Sequence, residues 1–460
     1  MEKNNKKMII GSITVLVLVL LFAGSFALWT ITKKQTDVNS LNTACLEFEM
    51  ASEGTGLSLN EQWPASLKEG YKKEGYTFTV TNKCDEPLNY IIALEELKED
   101  GFPNEDSYVN KDYVDITIDN RTPKAYSLYD DITDDNDEQI MDTRMLKTAW
   151  VKPNATNTHT IKMWLDENTD VNESGKIFNS KVRVTGGQKL PYNKNITSES
   201  CFTINEEGQI TNFDYENCGS DVVFPPIVNG IQVKSIKMPA LTNHNITSID
   251  LNEAYYLEEI GNTGLNGFVG EGTELIIPGN IILNTRAFVT FNGSNLMIED
   301  GITELPLSCF GAYVGENTTL HIPSSVTAIS TGALARFNGK EILFEEGIQD
   351  IYISQYTNDY AGTGTNLEFP STTRTIGGFF GFQGDSIKFN EGLETIGEGG
   401  TSFNVYNGKS PLVIPSTVTT IKGFQLYAGT VIIKNTEGSV QLGTNTFQYA
   451  DVIYNPNYKE

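Results

Sequence analysis

Closely spaced carboxylates are the residues in this sequence whose spacing comes nearest to a chemical site. Asp166, Asn168, Asp170 and Asn172 alternate like the first ligands of a calcium loop. An EF-hand loop also requires glycine at its sixth position and glutamate at its twelfth, and neither is present here. A second acidic cluster, at 130–138, also lacks the sixth-position glycine. We interpret both clusters as solvated acidic loops and predict no metal site, with calcium binding as the less favoured alternative.

Other residue types with catalytic potential are few and scattered. The chain holds three His, at positions 159, 244 and 321, and five Cys. It contains no H-E-x-x-H, G-x-S-x-G or C-x-x-C sequence, and no complete G-x-G-x-x-G loop. A net charge of -26 argues against binding to nucleic-acid phosphates, which requires a basic surface. We predict no catalytic residues, no cofactor and no nucleic-acid partner.

The N-terminus indicates that most of the chain lies outside the cytoplasm. Residues 8–32 carry no charge and are flanked by lysines on both sides. A helix of this length reaches roughly 37 Å, which is enough to cross a bilayer. The segment at 1–36 is therefore either an uncleaved transmembrane anchor, which its length favours, or a signal peptide cleaved near Ala27. The remaining chain is then held at the cell surface in the first case and secreted in the second.

Residues 37–187 show the alternation that is typical of a β-sandwich. Segments 76–82, 88–94, 158–165 and 177–184 place aromatic or branched residues at alternate positions. Turn-rich stretches separate them, and no long amphipathic helix interrupts the pattern. Cys45 and Cys84 lie among these segments. Outside the cytoplasm we favour a disulfide bond between them over two buried free thiols.

A repeat follows a linker at 188–200 and extends over residues 201–460. Units of the form Leu-x-Ile/Phe-Pro begin at 275, 320, 367 and 412, and units of a second kind that end in glycine lie between them. One unit starts every 20 to 25 residues, which is the period of leucine-rich repeats. The first and third residues of a unit share one side of a strand and should fill the core, and proline should end the strand. The glycine of the second kind should supply a turn with positive φ.

The start of the repeat region should carry a cap, because the end of a solenoid exposes its core. Residues 201–218 have the pattern of a β-hairpin that turns at Gly208. A Cys201–Cys218 disulfide would hold this hairpin together. Farther along, Cys309 occupies the small-residue position that Ala287 holds in the preceding unit. We therefore interpret Cys309 as a buried thiol rather than a nucleophile.

One repeat unit departs from the others in its tyrosines. Tyr352, Tyr356 and Tyr360 recur at every fourth residue. Exposed tyrosines are frequent in binding surfaces, and variant repeats often mark a binding face. The three residues are a candidate interaction patch, and the alternative is that they pack inside the turn.

Two parts of the sequence carry family resemblances. The cysteines at 201 and 218, followed by units such as Leu320-His-Ile-Pro-Ser-Ser-Val-Thr-Ala-Ile329, resemble the BspA-like leucine-rich-repeat surface proteins. That resemblance implies adhesion or ligand recognition at the cell surface, without a common catalytic site. Motifs at 76–84, 163–167 and 176–184 more loosely resemble the camelysin/TasA-like surface and biofilm-matrix proteins of Gram-positive bacteria. This second resemblance implies a jelly-roll-like structural module.

These observations predict a mainly β protein with an N-terminal transmembrane helix, a jelly-roll-like β-sandwich and a leucine-rich-repeat solenoid. Our leading hypothesis is a non-enzymatic cell-surface protein whose repeats bind an extracellular protein or glycan. In that hypothesis the sandwich spaces the solenoid away from the membrane. The alternative is a structural subunit or decoration of an extracellular matrix fibre, assembled through the sandwich. A surface hydrolase is the least favoured class, because no catalytic motif supports it.

Overall fold

The computed structural model describes residues 46–50, 57–59, 63–98, 105–133, 139–186, 196–238, 246–353 and 360–459. The predicted membrane segment at 8–32 lies outside these ranges. Among the helices within them, none is long and apolar enough to span a membrane. Strands are the main regular secondary structure of the described residues, which confirms the mainly β prediction. The helices there are short: α1 (Leu67–Tyr71), α2 (Tyr215–Cys218) and 3-10 turns at Glu105–Ser107, Lys111–Tyr113, Tyr126–Leu128, Val171–Glu173 and Glu199–Cys201.

The first ten strands form a β-sandwich. Two five-stranded antiparallel sheets, in the orders β1-β3-β9-β5-β6 and β2-β10-β4-β8-β7, enclose one hydrophobic core. The strands are β1 (Leu46–Met50), β2 (Leu57–Ser58), β3 (Tyr76–Asn82), β4 (Leu88–Leu97), β5 (Val114–Ile118), β6 (Lys124–Ala125), β7 (Asp130–Thr133), β8 (Gln139–Val151), β9 (Thr156–Leu165) and β10 (Asn179–Gly186).

Alternation along β3 and β9 explains how the sandwich forms. Tyr76, Phe78 and Val80 point into the core and are almost completely buried. The threonines between them stay partly exposed on the opposite side of the sheet. Because side chains in a strand alternate between two faces, the same strand supplies both a core and a polar surface. β9 follows the same rule, with His159 and Ile161 buried and Thr158 exposed.

Residues from 196 onward form a solenoid of short strands joined by turns. One side carries the parallel seven-stranded sheet β22-β24-β26-β28-β30-β32-β34, preceded by β11-β12-β16-β18-β20, and the other side carries shorter sheets. The strands are β11 (Phe202–Ile204), β12 (Gln209–Phe213), β13 (Asp221–Val223), β14 (Ile227–Val228), β15 (Ile231–Gln232), β16 (Ser235–Ile236), β17 (Ser248–Asp250), β18 (Glu259–Ile260), β19 (Glu274–Ile277), β20 (Ile282–Leu283), β21 (Asn295–Ile298), β22 (Glu304–Leu305), β23 (Thr319–Ile322), β24 (Ala328–Ile329), β25 (Glu341–Phe344), β26 (Asp350–Tyr352), β27 (Asn366–Glu368), β28 (Thr375–Gly377), β29 (Ser386–Lys388), β30 (Thr395–Ile396), β31 (Leu412–Ile414), β32 (Thr420–Ile421), β33 (Thr430–Ile433), β34 (Gln441–Leu442) and β35 (Asp451–Tyr454).

The repeat pattern of the sequence places the solenoid strands in register. Leu275 pairs with Leu296 and Leu320 pairs with Ile342, so equivalent residues stack from coil to coil. The strands β19, β23 and β31 each end at the isoleucine before the proline, as predicted. The second kind of unit turns at glycine, and Gly347 has a φ of 130°. A Cβ there would lie 2.2 Å from the Ser324 carbonyl oxygen, so the coils approach too closely for any other residue.

A row of aromatic rings runs through the solenoid core, with one ring for each coil. Consecutive ring centroids lie 5.5 to 5.9 Å apart, and each ring is at most 3% exposed. Stacked rings bury a large apolar area and couple neighbouring coils. The row consists of Phe268, Phe291, Tyr313, Phe337, Tyr360, Phe382, Tyr406 and Tyr427.

The predicted hairpin caps the first coil of the solenoid. β11 and β12 pair antiparallel, and β12 then continues into the parallel sheet through β16. Cys201 and Cys218 form a disulfide bond with a sulfur–sulfur distance of 2.04 Å. Residues 196–200, which the sequence assigned to the linker, already bond to the solenoid, since the Thr197 amide donates to the Val223 carbonyl.

Candidate functional site between the sandwich and the solenoid

The sandwich packs against the flank of the solenoid instead of standing away from it. The contact covers the second residue of successive repeat units, the x of the Leu-x-Ile pattern, a position that points outward from the solenoid core. Met297, His321 and Leu343 occupy this position and are only 8%, 7% and 5% exposed. The equivalent Lys388, beyond the contact, is exposed. The sandwich and the repeats therefore share an interface that the sequence did not predict.

A buried ion network joins the two domains at the centre of this contact. Lys147 on β8 donates to the Asp119 carboxylate at 2.6 Å and to both oxygens of Glu299, at 2.9 and 3.0 Å. The Arg121 Nε donates to Glu299 Oε1 at 2.7 Å. Asp119, Lys147 and Arg121 belong to the sandwich, whereas Glu299 follows β21 of the solenoid. Two cations thus neutralise one solenoid carboxylate and one sandwich carboxylate away from water.

A histidine extends the network into the sandwich core. The His159 Nδ1 lies 2.7 Å from Asp119 Oδ2, and its Nε2 lies 2.6 Å from the Tyr90 hydroxyl. Burial alone would raise the pKa of Asp119, but Lys147 and His159 lower it well below its usual range. An ionised carboxylate only accepts, so His159 Nδ1 carries a proton and donates it to Asp119. The histidine therefore acts as a structural link.

Glu345 anchors a second point of the contact. Lys162 of β9 donates to the Glu345 carboxylate, and the His321 Nε2 lies 3.3 Å from the same group. Burial opposes ionisation of Glu345, but His321 and Lys162 lower its pKa to about 2. Tyr71, at the end of α1, stacks on His321 with ring centroids 3.6 Å apart. An aromatic ring and a cation of the sandwich thus converge on adjacent solenoid strands.

The edges of the contact are polar and aromatic. Lys72 donates to Glu368 at 2.8 Å at one end. At the other end, the Trp150 Nε1 donates to Glu253 at 2.8 Å. The Trp150 ring stacks on Tyr255 of the solenoid, with centroids 4.7 Å apart. Throughout the contact the sandwich supplies cations and the solenoid supplies carboxylates, so the two surfaces are electrostatically complementary.

A cleft of about 670 Å³ opens between the domains above this network. One wall is the threonine-bearing side of β3 and β9, and the opposite wall is formed by solenoid turns at 278–281, 299–301 and 324–325. Asp119, Lys147, His159 and Glu299 lie at its base, and Trp150 and Tyr255 lie at one end. The size falls within the range of ligand-binding clefts.

Asp300 lies in the cleft wall, and its surroundings favour the uncharged form of its carboxyl group. Burial, with the charges of Glu345 and Asp119, raises the pKa of its carboxyl group to about 7. The Asn120 side-chain amide donates to Asp300 Oδ1 at 2.5 Å, which adds another link between the domains. The pKa values of the Asp300 and Glu345 carboxyl groups in the cleft are therefore shifted in opposite directions. At the pH where Asp300 gains or loses its proton, Glu345 is ionised.

Comparison with known families identifies the repeats that form the solenoid wall. Residues 234–362 and 352–453 match the model of the BspA type leucine rich repeat region, in six copies. The C-terminal region is a solenoid of BspA-type leucine-rich repeats. These repeats imply a surface protein that binds or adheres through them. No curated protein and no solved structure matches the chain.

Within the BspA-type repeats, two of the three candidate tyrosines, Tyr352 and Tyr360, lie among the described residues. Tyr360 is 3% exposed and belongs to the aromatic row, so it packs inside the turn. Its hydroxyl accepts from the Ile342 amide at 3.3 Å. Tyr352 is half-buried, and its hydroxyl donates to the Glu398 carbonyl. Tyr356 lies outside the described residues. Tyr360 therefore packs inside the turn, which was the alternative interpretation, because its ring continues the row of rings in the core.

The cysteines and the acidic loop that were singled out in the sequence differ in their surroundings. Cys84 is disulfide-bonded, and Cys45 lies outside the described residues. Cys309 is completely buried, and burial raises the pKa of its thiol, which leaves it in the unreactive protonated form. The Asp166 and Asp170 carboxylates accept from the backbone amides two residues later, as turn caps do.

A sequence signal for the domain contact exists but is easily overlooked. The outward position of a repeat strand should be polar, and Met297 and Leu343 break that rule. Apolar residues at outward positions on both sides of His321 indicate a covered face. The ion network itself has no such signal, because Lys147 and Glu299 are 152 residues apart.

Proposed function

We propose that this chain is a non-enzymatic recognition protein of the cell surface, in which BspA-type repeats and a docked sandwich bind an extracellular protein or glycan. The observation that carries the proposal is the repeat solenoid itself, with polar clefts on its surface. Its buried carboxylates, histidines and lysines pair with one another, within the sandwich and across the domain contact. Extended solenoid surfaces bind partners over a broad area rather than in a reactive pocket.

A second uncovered surface supports the same proposal. Farther along the same row of solenoid turns, a groove of about 590 Å³ crosses several coils. Arg374 and Glu394 line it together with side chains that bear hydroxyl groups. The side chains of Arg374 and Glu394 are 65% and 58% exposed. Such a polar groove is solvated in the free protein and is suited to a partner that replaces water with hydrogen bonds.

The alternative function, assembly of a matrix fibre through the sandwich, rests on the resemblance to camelysin/TasA-like proteins. It requires a sheet edge that accepts another strand. The edge strands β2 and β6 have two residues each, and short edges disfavour strand addition. Assembly would therefore use β1 or β7, the longer edge strands. Membrane anchoring through residues 8–32 accompanies the first proposal, and release near Ala27 accompanies the second.

Binding to arrayed ligands tests the leading proposal. The full chain is offered a glycan array and a panel of extracellular-matrix proteins, and retained ligands are recovered and analysed by mass spectrometry. We expect saturable retention of at least one ligand, which is released chemically unchanged. Retention of nothing on either panel, or recovery of a cleaved product, contradicts the proposal. Fibres formed by the purified chain and seen by electron microscopy, without ligand retention, favour the alternative.

A further inference from the structure

The interdomain cleft has a wall of hydroxyl groups that neither domain needs for its own core. Thr77, Thr156, Thr158 and Thr160 line it from adjacent strands, and Thr158 is exposed. The hydroxyls of Thr77 and Thr160 hydrogen-bond to each other at 3.1 Å across the two strands, and each keeps further hydrogen-bonding capacity. A hydroxyl both donates and accepts hydrogen bonds, as the hydroxyls of a sugar do.

The facing wall offers further polar groups from the solenoid turns. Asn280 and Ser324 are exposed there, and Ser325 accepts from the Gly301 amide at 2.9 Å. The Asp300 carboxyl group lies on the same side of the cleft, and Asn120 contacts its Oδ1. A carboxyl group can exchange hydrogen bonds with neighbouring hydroxyl groups on a sugar ring.

An aromatic pair closes one end of the cleft. Trp150 and Tyr255 are stacked and half-buried, and each comes from a different domain. The ring faces of tryptophan and tyrosine bind flat apolar surfaces while their polar atoms remain hydrogen-bonded. The C–H face of a pyranose is such a surface. Polar walls with an aromatic platform therefore match a carbohydrate better than a wholly apolar ligand.

The charges of the cleft argue against an anionic ligand. The cations that line it are engaged by carboxylates: Lys147 by Asp119 and Glu299, and Lys162 by Glu345. An anionic group would have to displace one of these partners, at the cost of leaving a buried carboxylate uncompensated. The net charge of -26 on the chain also repels polyanions.

We propose that the cleft between the sandwich and the solenoid binds a neutral oligosaccharide. The inference rests on the proposed recognition function and assigns it a site and a ligand class. Both domains supply the site, so the ion network that joins them also keeps the cleft at its width. The repeats alone do not form it.

A blocking substitution tests the assignment. The full chain is screened on an array that carries neutral oligomers of glucose, galactose, mannose and N-acetylglucosamine beside sialylated and sulfated oligosaccharides. Titration calorimetry then follows the best neutral oligomer with Thr158→Trp, which fills the cleft from an exposed position. The control is Thr203→Trp, at an exposed strand threonine of the solenoid cap. We expect at least about a 10-fold loss of affinity for Thr158→Trp and less than about a 2-fold change for the control.

Each other outcome is decisive. Equal affinity of Thr158→Trp and the unmodified chain overturns the assignment of the site, while the recognition function stands. A preference for sialylated or sulfated oligosaccharides overturns the neutral class. Retention of a matrix protein with no oligosaccharide bound overturns the carbohydrate inference and leaves the recognition function intact. If Tyr255→Ala also weakens the neutral oligomer, with an unchanged melting temperature, the aromatic platform is supported.

Discussion

At the scale of single residues, Tyr360 shows how a repeat decides the role of a side chain. It belongs to a variant unit in sequence, but its ring lies 5.7 Å from Phe337 and 5.6 Å from Phe382 in the core. We expect Tyr360→Ala to lower the free energy of unfolding by about 3–5 kcal/mol, because it removes a buried ring between two others. Urea unfolding followed by circular dichroism measures the change.

Tyr352 serves as the matched control for this prediction. It is only half-buried, although its ring covers Gly377. Tyr352→Ala should therefore cost less than Tyr360→Ala. Equal costs would show that the row of rings does not give Tyr360 a special contribution.

Asp300 makes a pH-dependent contribution to stability. Its pKa is raised to about 7 in the folded chain, so the folded state holds a proton that the unfolded state releases near pH 4. Stability is therefore fully present below about pH 4 and falls as the pH rises toward 7. Asp300→Asn removes this loss and retains an oxygen that accepts from Asn120. We expect the variant to melt at a higher temperature than the unmodified chain at pH 8, with the difference vanishing toward pH 4.

Differential scanning calorimetry from pH 4 to 8 checks the Asp300 prediction. The difference between variant and unmodified chain isolates Asp300 from Asp119 and Glu299, whose lowered pKa values give the opposite pH slope in acid. Asp385→Asn, at an exposed position, is the control. A variant that is less stable at pH 8, or a difference independent of pH, argues against a protonated Asp300.

At the scale of elements, the turns of the second repeat kind set the distance between coils. Gly347 combines a φ of 130° with a Cβ position that is 2.2 Å from the Ser324 carbonyl oxygen. Gly364 also has a positive φ, of 77°, but open space surrounds its Cβ position. We expect Gly364→Ala to cost only the conformational strain of about 1–2 kcal/mol. Gly347→Ala should cost more, because the backbone of a neighbouring coil must also move.

Thermal and urea unfolding of the two glycine variants compare them directly. If Gly347→Ala is no worse than Gly364→Ala, coil spacing is not limited at this turn. The comparison separates backbone strain, which both variants introduce, from close packing, which only one of them violates.

At the scale of the whole molecule, the ion network determines how firmly the sandwich is held on the solenoid. Removal of Lys147 leaves the carboxylates of Asp119 and Glu299 buried with one cation fewer. We expect Lys147→Ala to lower the free energy of unfolding by about 3–5 kcal/mol, as broken buried ion pairs do. Lys388→Ala breaks an exposed pair with Glu368 and should cost no more than about 1 kcal/mol.

Urea unfolding of the full chain checks the network prediction with tryptophan fluorescence, since Trp150 lies in the contact. A Lys147→Ala variant as stable as Lys388→Ala would mean that the network does not stabilise the apposed domains. A fluorescence change at lower urea than the loss of strand structure would show the sandwich separating first.

Much of the fold follows from local pattern. The alternation in 76–82 and the Leu-x-Ile-Pro units at 275 and 320 predict strands, their core sides and their ends, and the structure agrees at each. The members of the row of aromatic rings also recur once per repeat in the sequence, although the four-residue spacing of Tyr352, Tyr356 and Tyr360 suggested a different role for Tyr360. The candidate site was not readable, apart from the apolar Met297 and Leu343 at outward positions.

The sequence by itself determined that this chain carries a β-sandwich followed by a capped leucine-rich-repeat solenoid. Both follow from short-range periodicity, of two residues in the sandwich strands and of 20 to 25 residues in the repeat units. Only the tertiary structure decided that the sandwich docks on the repeats and encloses a polar cleft. The partners in that contact, such as Lys147 and Glu299, are 152 residues apart and follow no common period. Complementary charge and buried area in three dimensions choose such pairs, and a one-dimensional pattern does not record them.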